Sequence, residues 1–369
     1  MQPVIEHSPV RARSLRVRLV DPTTDPRWAE FVTSHPDGLA FHHPAWLATL
    51  ADTFGFAPFH LACEDERGTV HGVLPLVYRR GLLRGRQLWS LPYTPLAGPL
   101  ARSRAALGAL VHAAVDLAEQ AAGQRLQLHS DLPDLTVRDV SFLRVDWYPN
   151  YVIDLSDRSE APRFSKSRRR GIAKAVRAGV QVRDADRVSD VHAWYDLYVR
   201  TLRRLGHPPL PLTLFEAAWT HMRSQGLLRL LLAERVAGGR TELLAGAVVL
   251  HGTTTVTDQY TADRLDARQY HPSDMILGQA IYQAWEAGYR RYDLGSVAPD
   301  QTGLRQFKEV WGARPRPLYR YFYPPSDWGT RLSRPRSRTQ GQAGLAAACW
   351  RRVPLAATRP LGRWIHQYL

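Results

Sequence analysis

The side chain that most suggests chemistry is Lys308, which follows a predicted strand and loop. The strand ends in Tyr292-Asp-Leu-Gly-Ser296, and a short loop leads to the helical segment Phe307-Lys-Glu-Val-Trp-Gly312. The chain has 49 lysines and arginines, and only Lys166, Lys174 and Lys308 are lysines. Because lysine presents a compact ammonium and arginine a planar fork, a lysine kept in such a chain favours a site that uses a point charge. The alternative is a surface lysine.

Three other polar side chains are candidates to act with Lys308. Asp293 ends the predicted strand, where it could orient a nucleophile or cap the loop that follows. Asp258 and Tyr260 lie on an earlier predicted strand, and the two-residue period of a strand places them on one face. Either could relay a proton, although a packed tyrosine is the more common role. The 14 histidines show no ligand spacing, so we predict no metal site.

Length and composition define the class of protein. A chain of 369 residues exceeds one ordinary core and predicts two domains. Hydrophobic content of 44% and charged content of 22% are typical of a soluble globular protein. No apolar run approaches the roughly 20 residues of a membrane span, and no signal peptide is evident. Two cysteines exclude a disulfide framework and a cysteine-rich metal site, so we expect a cytoplasmic protein.

The positive charge is unevenly distributed. The net charge of +15 divides into zero over residues 1–150, +8 over 151–325 and +7 over 326–369. Its densest part is Arg163–Arg177, a predicted helix with seven basic residues and no acid. An anionic partner is expected to meet this second half: a phosphate-bearing substrate, RNA or an anionic membrane. The alternative is that the charge serves solubility.

One structural unit occurs twice, about 170 residues apart. Each copy is a predicted hairpin, a third strand, a helix and a further strand, which indicates a duplicated α/β (α+β) domain with one parallel strand pair. We predict a first domain over 1–155, a second over 156–325, and a basic tail over 326–369 that begins with a linker at 326–342. The predicted segments are hairpins at 59–77 and 227–250, third strands at 87–91 and 254–261, helices at 102–122 and 273–287, and last strands at 125–130 and 289–296.

Several short segments resemble the FemAB-like family in order and spacing, over about residues 10–325. In the first half these are Phe41-His-His-Pro-Ala-Trp-Leu47, Gly72-Val-Leu-Pro-Leu76 and Ser90-Leu-Pro-Tyr93. In the second half they are Ser165-Lys166 to Ala175, Thr201-Leu-Arg-Arg-Leu-Gly206, Gly288-Tyr-Arg-Arg-Tyr-Asp-Leu-Gly295 and Phe307-Lys-Glu-Val-Trp-Gly-Ala313. The likeness lies in the set, since no single segment is diagnostic.

The resemblance implies a fold and a reaction class. The family has two tandem GNAT-like (acetyltransferase-like) domains, each a mixed twisted sheet with flanking helices. Its best-understood members transfer amino acids from charged tRNA onto peptidoglycan precursors. A second branch is linked to exopolysaccharide and PEP-CTERM systems, and the tail segment Trp350-Arg-Arg-Val-Pro-Leu355 with Pro360-Leu-Gly362 is similar to that branch. The implied activity is amide formation on a cell-envelope, peptidoglycan-precursor or exopolysaccharide-related acceptor.

The resemblance also assigns roles to residues. Lys308 matches the family's functional lysine and would stabilise developing negative charge or hold a phosphate. Arg204 best matches a phosphate-binding arginine, with Arg203 and Arg200 as neighbours. Trp311, the aromatic residue of the lysine motif, and Asp258 are expected in the substrate-binding part. The peptidoglycan branch places a phosphate-binding lysine just after Trp46, but positions 47–50 read Leu-Ala-Thr-Leu, which argues against a peptidoglycan precursor.

The acyl donor is expected to be a co-substrate, either acyl-CoA or aminoacyl-tRNA, and no cofactor is expected to stay bound. Acetyl-CoA enzymes of this fold hold the pyrophosphate on a glycine-containing loop at a helix N-terminus. The corresponding residues 264–275 contain no glycine, which disfavours CoA. The basic helix could instead receive the tRNA backbone, although we find no long heptad-patterned arm of the kind that some family members use for tRNA.

The remaining expectations concern partners and alternatives. We expect a phosphate-bearing or lipid-linked acceptor, a monomer or dimer, and contact of the cationic, aromatic tail with the inner face of an anionic membrane. The tail could equally pack on the second domain. One alternative function is a CoA-dependent N-acyltransferase that acts on an amino-sugar intermediate. Another is a non-catalytic scaffold that binds anionic glycolipid or RNA.

Overall fold

A computed structural model describes residues 14–81, 85–121, 125–137, 139–326 and 342–368. Its strands form three sheets with flanking helices, which confirms the predicted α/β (α+β) class. The strands are β1 (Leu15–Leu19), β2 (Ala57–Pro58), β3 (Leu61–Asp65), β4 (Val70–Leu74), β5 (Val77–Gly81), β6 (Gly85–Trp89), β7 (Leu100–Ala101), β8 (Leu126–Ser130), β9 (Leu143–Asp146), β10 (Asn150–Asp154), β11 (Gln181–Asp184), β12 (Leu228–Ala237), β13 (Arg240–His251), β14 (Thr255–Asp263), β15 (Arg291–Ser296), β16 (Arg314–Arg316) and β17 (Tyr319–Tyr323).

The helices include the predicted basic helix and two helices in the tail. Two single 3-10 turns, Ala40–His42 and Arg268–Tyr270, lie outside them. The α-helices are α1 (Pro26–Ser34), α2 (Pro44–Phe54), α3 (Arg104–Ala121), α4 (Lys166–Arg177), α5 (Val188–Leu205), α6 (Leu212–Met222), α7 (Pro272–Glu286), α8 (Thr302–Val310), α9 (Gln342–Arg352) and α10 (Leu355–Tyr368).

The second half is built on a seven-stranded sheet with the order β11-β12-β13-β14-β15-β10-β16. Its neighbours are antiparallel except for β14 and β15, which run parallel. Parallel neighbours need a crossover connection, and α7 supplies it. The predicted hairpin, helix and last strand of this half are therefore confirmed.

The first half repeats the unit but divides its strands between two sheets. β6 and β8 are its parallel pair, and α3 joins them. One predicted strand over 70–77 proves to be two: β4 lies in the sheet β1-β3-β4-β7, and β5 lies in the sheet β2-β5-β6-β8-β17-β9. The prediction of one continuous strand is wrong because Pro75, which lacks an N–H, interrupts the ladder between them.

Each half contributes one strand to the sheet of the other. β10 lies between β15 and β16 of the second-half sheet, and β17 lies between β8 and β9 of the first-half sheet. The two halves also share one hydrophobic core, in which Trp46 of α2 and the residues Trp194 and Phe215 of α5 and α6 are buried. The domain limits at residues 155 and 325 stay a prediction.

The basic helix α4 crosses the N-terminus of α7 at very short range. A Cβ atom on Gly171 would lie 2.2 Å from Oδ2 of Asp274, so only glycine fits at the crossing. The buried Asp274 carboxylate accepts a hydrogen bond from Arg168 at 2.8 Å and lies 3.1 Å from Nδ1 of His271. The start of α7 therefore packs against α4 and already holds a carboxylate.

The tail helices pack on α5 of the second half and also contact the first half. The predicted linker falls almost wholly on residues 327–341, outside the described residues. Beyond it, Arg203 of α5 donates to the carbonyl of Val353 at 2.6 Å, and Arg359 of α10 pairs with Asp196 of α5. Tyr93 donates to the carbonyl of His366 at 2.7 Å. No helix in the described parts of the chain is both long and apolar enough to cross a membrane.

The crossing of α4 and α7 predicts that replacing a helical glycine by alanine destabilises the protein, which is the reverse of the usual effect. Inside a helix, Gly→Ala normally stabilises by about 1 kcal/mol. We expect Gly171→Ala instead to lower the free energy of unfolding by about 1–3 kcal/mol, because the methyl group would overlap the Asp274 carboxylate. Gly303→Ala, which has open space around its Cβ position in α8, is the matched control and should be neutral or stabilising. Urea unfolding of both variants measures the difference, and a stabilised Gly171→Ala protein would refute the close crossing.

Candidate active site

The candidate site lies where β14 and β15 separate. The two strands pair at only three positions, from Thr255 opposite Arg291 to Thr257 opposite Asp293. Both strands continue beyond this point without pairing to each other. A cleft of about 1130 Å³ opens there, and its walls come from the second-half sheet, α7, α8 and the first-half sheet.

A β-bulge in β14 decides which of its side chains face the cleft. Val249 pairs with Asp258 and Val248 with Tyr260, so Gln259 is an extra residue in the strand. Residues directly opposite each other share a face of the sheet. Asp258 therefore lies on the Val249 face and Tyr260 on the Val248 face. The prediction that Asp258 and Tyr260 share a face is wrong, because the bulge resets the alternation.

Tyr260 belongs to an aromatic cluster and does not line the cleft. Its ring makes edge contacts with Phe215 and Tyr198, at centroid distances of 5.2 and 6.1 Å. Burial raises the pKa of Tyr260 to about 12, so the phenol stays neutral near pH 7. These contacts favour the packed-tyrosine alternative over a proton relay.

Lys308 is the one residue of α8 whose side chain is buried, with 6% of its surface exposed. Its Nζ atom donates to the carbonyl oxygens of Gly295 at 2.9 Å and Ser296 at 3.3 Å. An ammonium carries three protons, so one remains for a ligand in the cleft that Lys308 lines. The alternative of an exposed surface lysine is therefore wrong.

Gly295 builds the receptor for this ammonium. Its φ of +77° lies in the left-handed region that favours glycine. Its N–H donates to Oδ1 of Asp293 at 2.7 Å while its carbonyl accepts from Lys308. The other carboxylate oxygen of Asp293 accepts from Asn150 of β10 at 2.7 Å. Asp293 thus caps the loop, one of the two roles foreseen for it.

Burial shifts the acid–base behaviour of the three charged groups. Desolvation lowers the pKa of Lys308 to about 8, and the nearby carboxylates of Asp293 and Asp258 oppose the shift. Desolvation raises the pKa of Asp293 to about 6 and also raises that of Asp258. Near pH 7, Lys308 is therefore mostly an ammonium and Asp293 mostly a carboxylate.

The two carboxylates face different spaces. Asp258 lines the same cleft as Lys308, and its Oδ1 accepts from the Thr261 hydroxyl at 2.8 Å. Asp293 lines a second cavity, of about 430 Å³, on the Asn150 side of β15. Asp258 is consequently the better placed to exchange a proton with a ligand beside Lys308.

The predicted arginines divide between the cleft and a neighbouring groove. Arg204 lines the cleft, where its guanidinium pairs with Asp263 at 2.7 Å. Arg200 and Arg203 line a separate groove beside α5 instead, and Arg203 is engaged with the tail carbonyl of Val353. The structure therefore brings Arg204 alone of the three into the space beside Lys308.

Trp311 lies in the core rather than in the cleft. Its side chain is 2% exposed and makes an edge contact with Phe164 at 5.0 Å. The guanidinium of Arg168 lies 6.0 Å from the same ring. These contacts fix the end of α8 and thereby the backbone of Lys308, so the expected contact between Trp311 and substrate is not seen.

The first-half wall of the cleft was not foreseen from the sequence. Trp89 of β6, His129 of β8 and Arg320 of β17 line it. Trp89 donates its indole N–H to Nε2 of His129 at 2.6 Å, which requires that nitrogen to be unprotonated. An arginine between tyrosines in the pattern Tyr-Arg-Tyr was the available signal, since strand alternation points it opposite the tyrosines. Nothing in the sequence indicated that β17 joins the first-half sheet.

The described residues contain no group of three or more His, Cys, Asp or Glu side chains that could hold a metal ion.

Comparisons with known proteins agree with the fold. Residues 162–314 match the family model described as an acetyltransferase (GNAT) domain. The solved structure of FemX matches with a TM-score of 0.68 and 16% identity, over 86% of this chain and 99% of that chain. The structure of L-PGS from Bacillus licheniformis matches with a TM-score of 0.57 and 15% identity, over 84% of this chain and 97% of that chain.

A third solved structure is the C-terminal domain of a putative lysylphosphatidylglycerol synthetase from Agrobacterium fabrum. Its TM-score is 0.56 at 14% identity, over 83% of this chain and 94% of that chain. At these identities the likeness to solved structures shows the fold alone. A search of curated protein sequences finds no match. The matched residues 162–314 include Asp258, Asp293 and Lys308. Residues 162–314 thus match an acetyltransferase (GNAT) domain, and this match supports an acyltransferase activity.

Proposed function

We propose that the protein forms an amide by transferring an acyl or aminoacyl group onto an amine of a cell-envelope or exopolysaccharide-related acceptor. The observation that carries the proposal is the buried Lys308 ammonium, which keeps one proton free where β14 and β15 separate. A preorganised cation in a water-poor cleft is suited to stabilise the oxyanion of acyl transfer. The FemAB-like resemblance supplies the acceptor class.

The described side chains suffice for one balanced sequence of steps. The acceptor amine attacks the donor carbonyl, a C–N bond forms, and Lys308 stabilises the oxyanion. Asp258 takes the proton that the amine loses, since it lines the same cleft. The tetrahedral intermediate then collapses, the donor's C–O or C–S bond breaks, and the leaving group takes up a proton. Asp293 acts as a positioning residue through the Gly295 N–H.

The start of α7 argues for an aminoacyl-tRNA donor. In acetyl-CoA enzymes of this fold, the pyrophosphate binds free N–H groups at this helix terminus. Here Pro272 lacks an N–H, and the buried Asp274 carboxylate occupies the first turn beneath α4. A pyrophosphate at this terminus would find one N–H donor fewer and a first turn already occupied by the Asp274–Arg168 ion pair.

The exposed face of α4 favours the same donor. Lys166, Arg169, Arg170, Lys174 and Arg177 are all exposed, and none has an acidic partner within 4 Å among the described residues. Five unpaired cations on one helix suit a polyanionic backbone, whose binding is electrostatic. The helix itself adjoins the cleft, because Arg168 on another face of α4 lines it.

Transfer from acyl-CoA to an amino-sugar intermediate is the second candidate. It is favoured by the family match, because GNAT domains use acyl-CoA as a co-substrate. We place it second because Pro272 lacks an N–H and the Asp274–Arg168 ion pair occupies the first turn of α7.

We also propose that the tail contacts an anionic membrane, where a lipid-linked acceptor would be met. Leu345, Leu361 and Trp364 are 67%, 42% and 57% exposed although α9 and α10 pack on α5. The same helices carry four arginines, at positions 351, 352, 359 and 363. Exposed apolar and cationic side chains on one helix are suited to a charged lipid surface.

The donor assignment predicts a selective loss of RNA binding. Replacing Arg169 and Lys174 by Glu should weaken binding of bulk aminoacyl-tRNA at least tenfold at low salt and flatten its salt dependence. Replacing the exposed Arg16 and Arg67 of the first half by Glu is the control with an equal charge change and should have little effect. Filter binding measures both. Saturable micromolar binding of acetyl-CoA or a long-chain acyl-CoA in calorimetry would overturn the donor assignment.

The catalytic assignment can be tested before the acceptor is known, because hydrolysis of the donor also passes through an oxyanion. Lys308→Met should slow donor hydrolysis about 10²–10³-fold. The wild-type rate should fall as pH rises through about 8, where Lys308 loses its proton, and should also fall at low pH as Asp258 gains one. Asp258→Asn should leave donor hydrolysis measurable but reduce transfer to an amine. An unchanged rate in Lys308→Met would refute the role of the ammonium.

Membrane contact predicts selective co-sedimentation with vesicles. The protein should sediment with phosphatidylglycerol vesicles and not with phosphatidylcholine vesicles. Replacing Leu361 and Trp364 by Ser should abolish this, while replacing Val236 and Leu265, which are exposed outside the tail, should not. Equal binding by both double variants would contradict a role for the tail.

A further inference from the structure

Most positive charge in the cleft is already paired. Arg204 and Arg268 share Asp263, and Arg168 pairs with Asp274 at 2.8 Å. Each of these three arginines therefore has a carboxylate partner, and the two carboxylates leave the set with one net positive charge. Lys308 is bound by carbonyls rather than by carboxylates. Arg320 is the other cation on the cleft wall without a carboxylate within 4 Å, among the described residues.

Arg320 is buried to an extent that is costly for an unpaired charge. Its side chain is 5% exposed, and it donates one hydrogen bond, to the carbonyl of Pro95 at 2.9 Å. Its guanidinium also lies 4.9 Å from the centre of the Trp147 ring. A guanidinium has five N–H donors, so most of them remain unused. Burial of this kind costs several kcal/mol unless a counter-charge compensates it.

The residue that faces Arg320 across the sheet does not supply that counter-charge. The residue paired with it on β8 is His129, which shares its face of the sheet. His129 is fully buried and accepts from Trp89, and desolvation together with the charge of Arg320 lowers its pKa well below the usual value. The histidine is therefore neutral. Burial also lowers the pKa of Arg320, to about 9, which leaves the guanidinium charged near pH 7.

Arg320 lies where its charge can contact a ligand in the cleft. It lies on the first-half wall of the cleft that Lys308 and Arg204 line from the second half. The segment after Trp46, residues 47–50, contributes no cation to the first half. β17 instead brings one into the first-half sheet from the end of the second half.

We propose that Arg320 is an anion-binding residue that holds a phosphate group of the acceptor substrate through its free N–H donors. The proposal rests on the proposed function for the identity of the ligand as acceptor. A planar guanidinium with several free donors recognises phosphate in a bidentate manner. A carboxylate offers a similar geometry, so the test must separate the two anions.

The experiment is calorimetric titration of the full chain with inorganic pyrophosphate and, separately, with succinate. The variants are Arg320→Met, Arg320→Lys and the matched control Arg79→Met. Arg79 is also a buried arginine of the first-half sheet, 6% exposed and packed 5.8 Å from the Trp89 ring, but it lines neither cavity described above. Thermal melting of each protein without ligand accompanies the titrations.

We expect pyrophosphate to bind the wild type and Arg79→Met alike, and to bind Arg320→Met at least tenfold more weakly. Arg320→Lys should retain part of the affinity, because the charge remains. Arg320→Met should melt no lower than the wild type, since an uncompensated buried charge has been removed. Because no donor or turnover is involved, the result is independent of whether acyl transfer occurs.

Four results would overturn the proposal. They are no binding of pyrophosphate by the wild type, an equal loss in Arg79→Met, unchanged affinity in Arg320→Met, and binding of succinate in preference to pyrophosphate. The last would assign the residue to a carboxylate instead. A fifth pattern would also count against the proposal. If Arg320→Met melted at a lower temperature than the wild type while Arg320→Lys and Arg79→Met kept full affinity for pyrophosphate, the loss of binding in Arg320→Met would be a folding effect.

Discussion

Burying one ammonium is the constraint on which the candidate site depends. The Nζ atom of Lys308 exchanges water for two backbone carbonyls, and that exchange is possible only because Gly295 adopts a left-handed conformation. Asp293 fixes Gly295 through its N–H, and Asn150 of β10 fixes Asp293. The exchange of a strand between the two halves thereby serves the chemistry, since β10 comes from the first half of the chain and supports a loop of the second.

The remaining charges in the cleft show how the site stays selective. Asp263 pairs with Arg204 and Arg268, Asp274 pairs with Arg168, and these pairs hold the loop before α7 and the helix α4 in place. Lys308 on one wall and Arg320 on the other remain without carboxylate partners among the described residues. A ligand that places one negatively charged oxygen beside Lys308 and another beside Arg320 fits this arrangement. A neutral ligand would leave both cations without a counter-charge.

The sequence predicted local elements well, because they follow from short-range patterns. The repeated pattern of hairpin, strand, helix and strand predicted the helix at 273–287, which is α7, and the segment around Lys308 predicted the site lysine. It did not predict features that depend on partners distant in the chain. The bulge at Gln259, which separates Asp258 from Tyr260, appears only in the pairing with β13. The placement of Arg320 depends on β17 joining β8 and β9, and the burial of Trp311 depends on Phe164.

The most direct test of the central claim is the ionisation of Lys308 itself, followed by NMR of protein labelled with ¹³C-lysine. With three lysines in the chain, the Lys308 resonance can be assigned by its disappearance in Lys308→Arg. We expect this resonance to titrate near pH 8, because desolvation opposes the charge. Titration at the ordinary lysine value of about 10.4 would mean that the ammonium is hydrated, and would contradict a buried cation poised to stabilise an oxyanion.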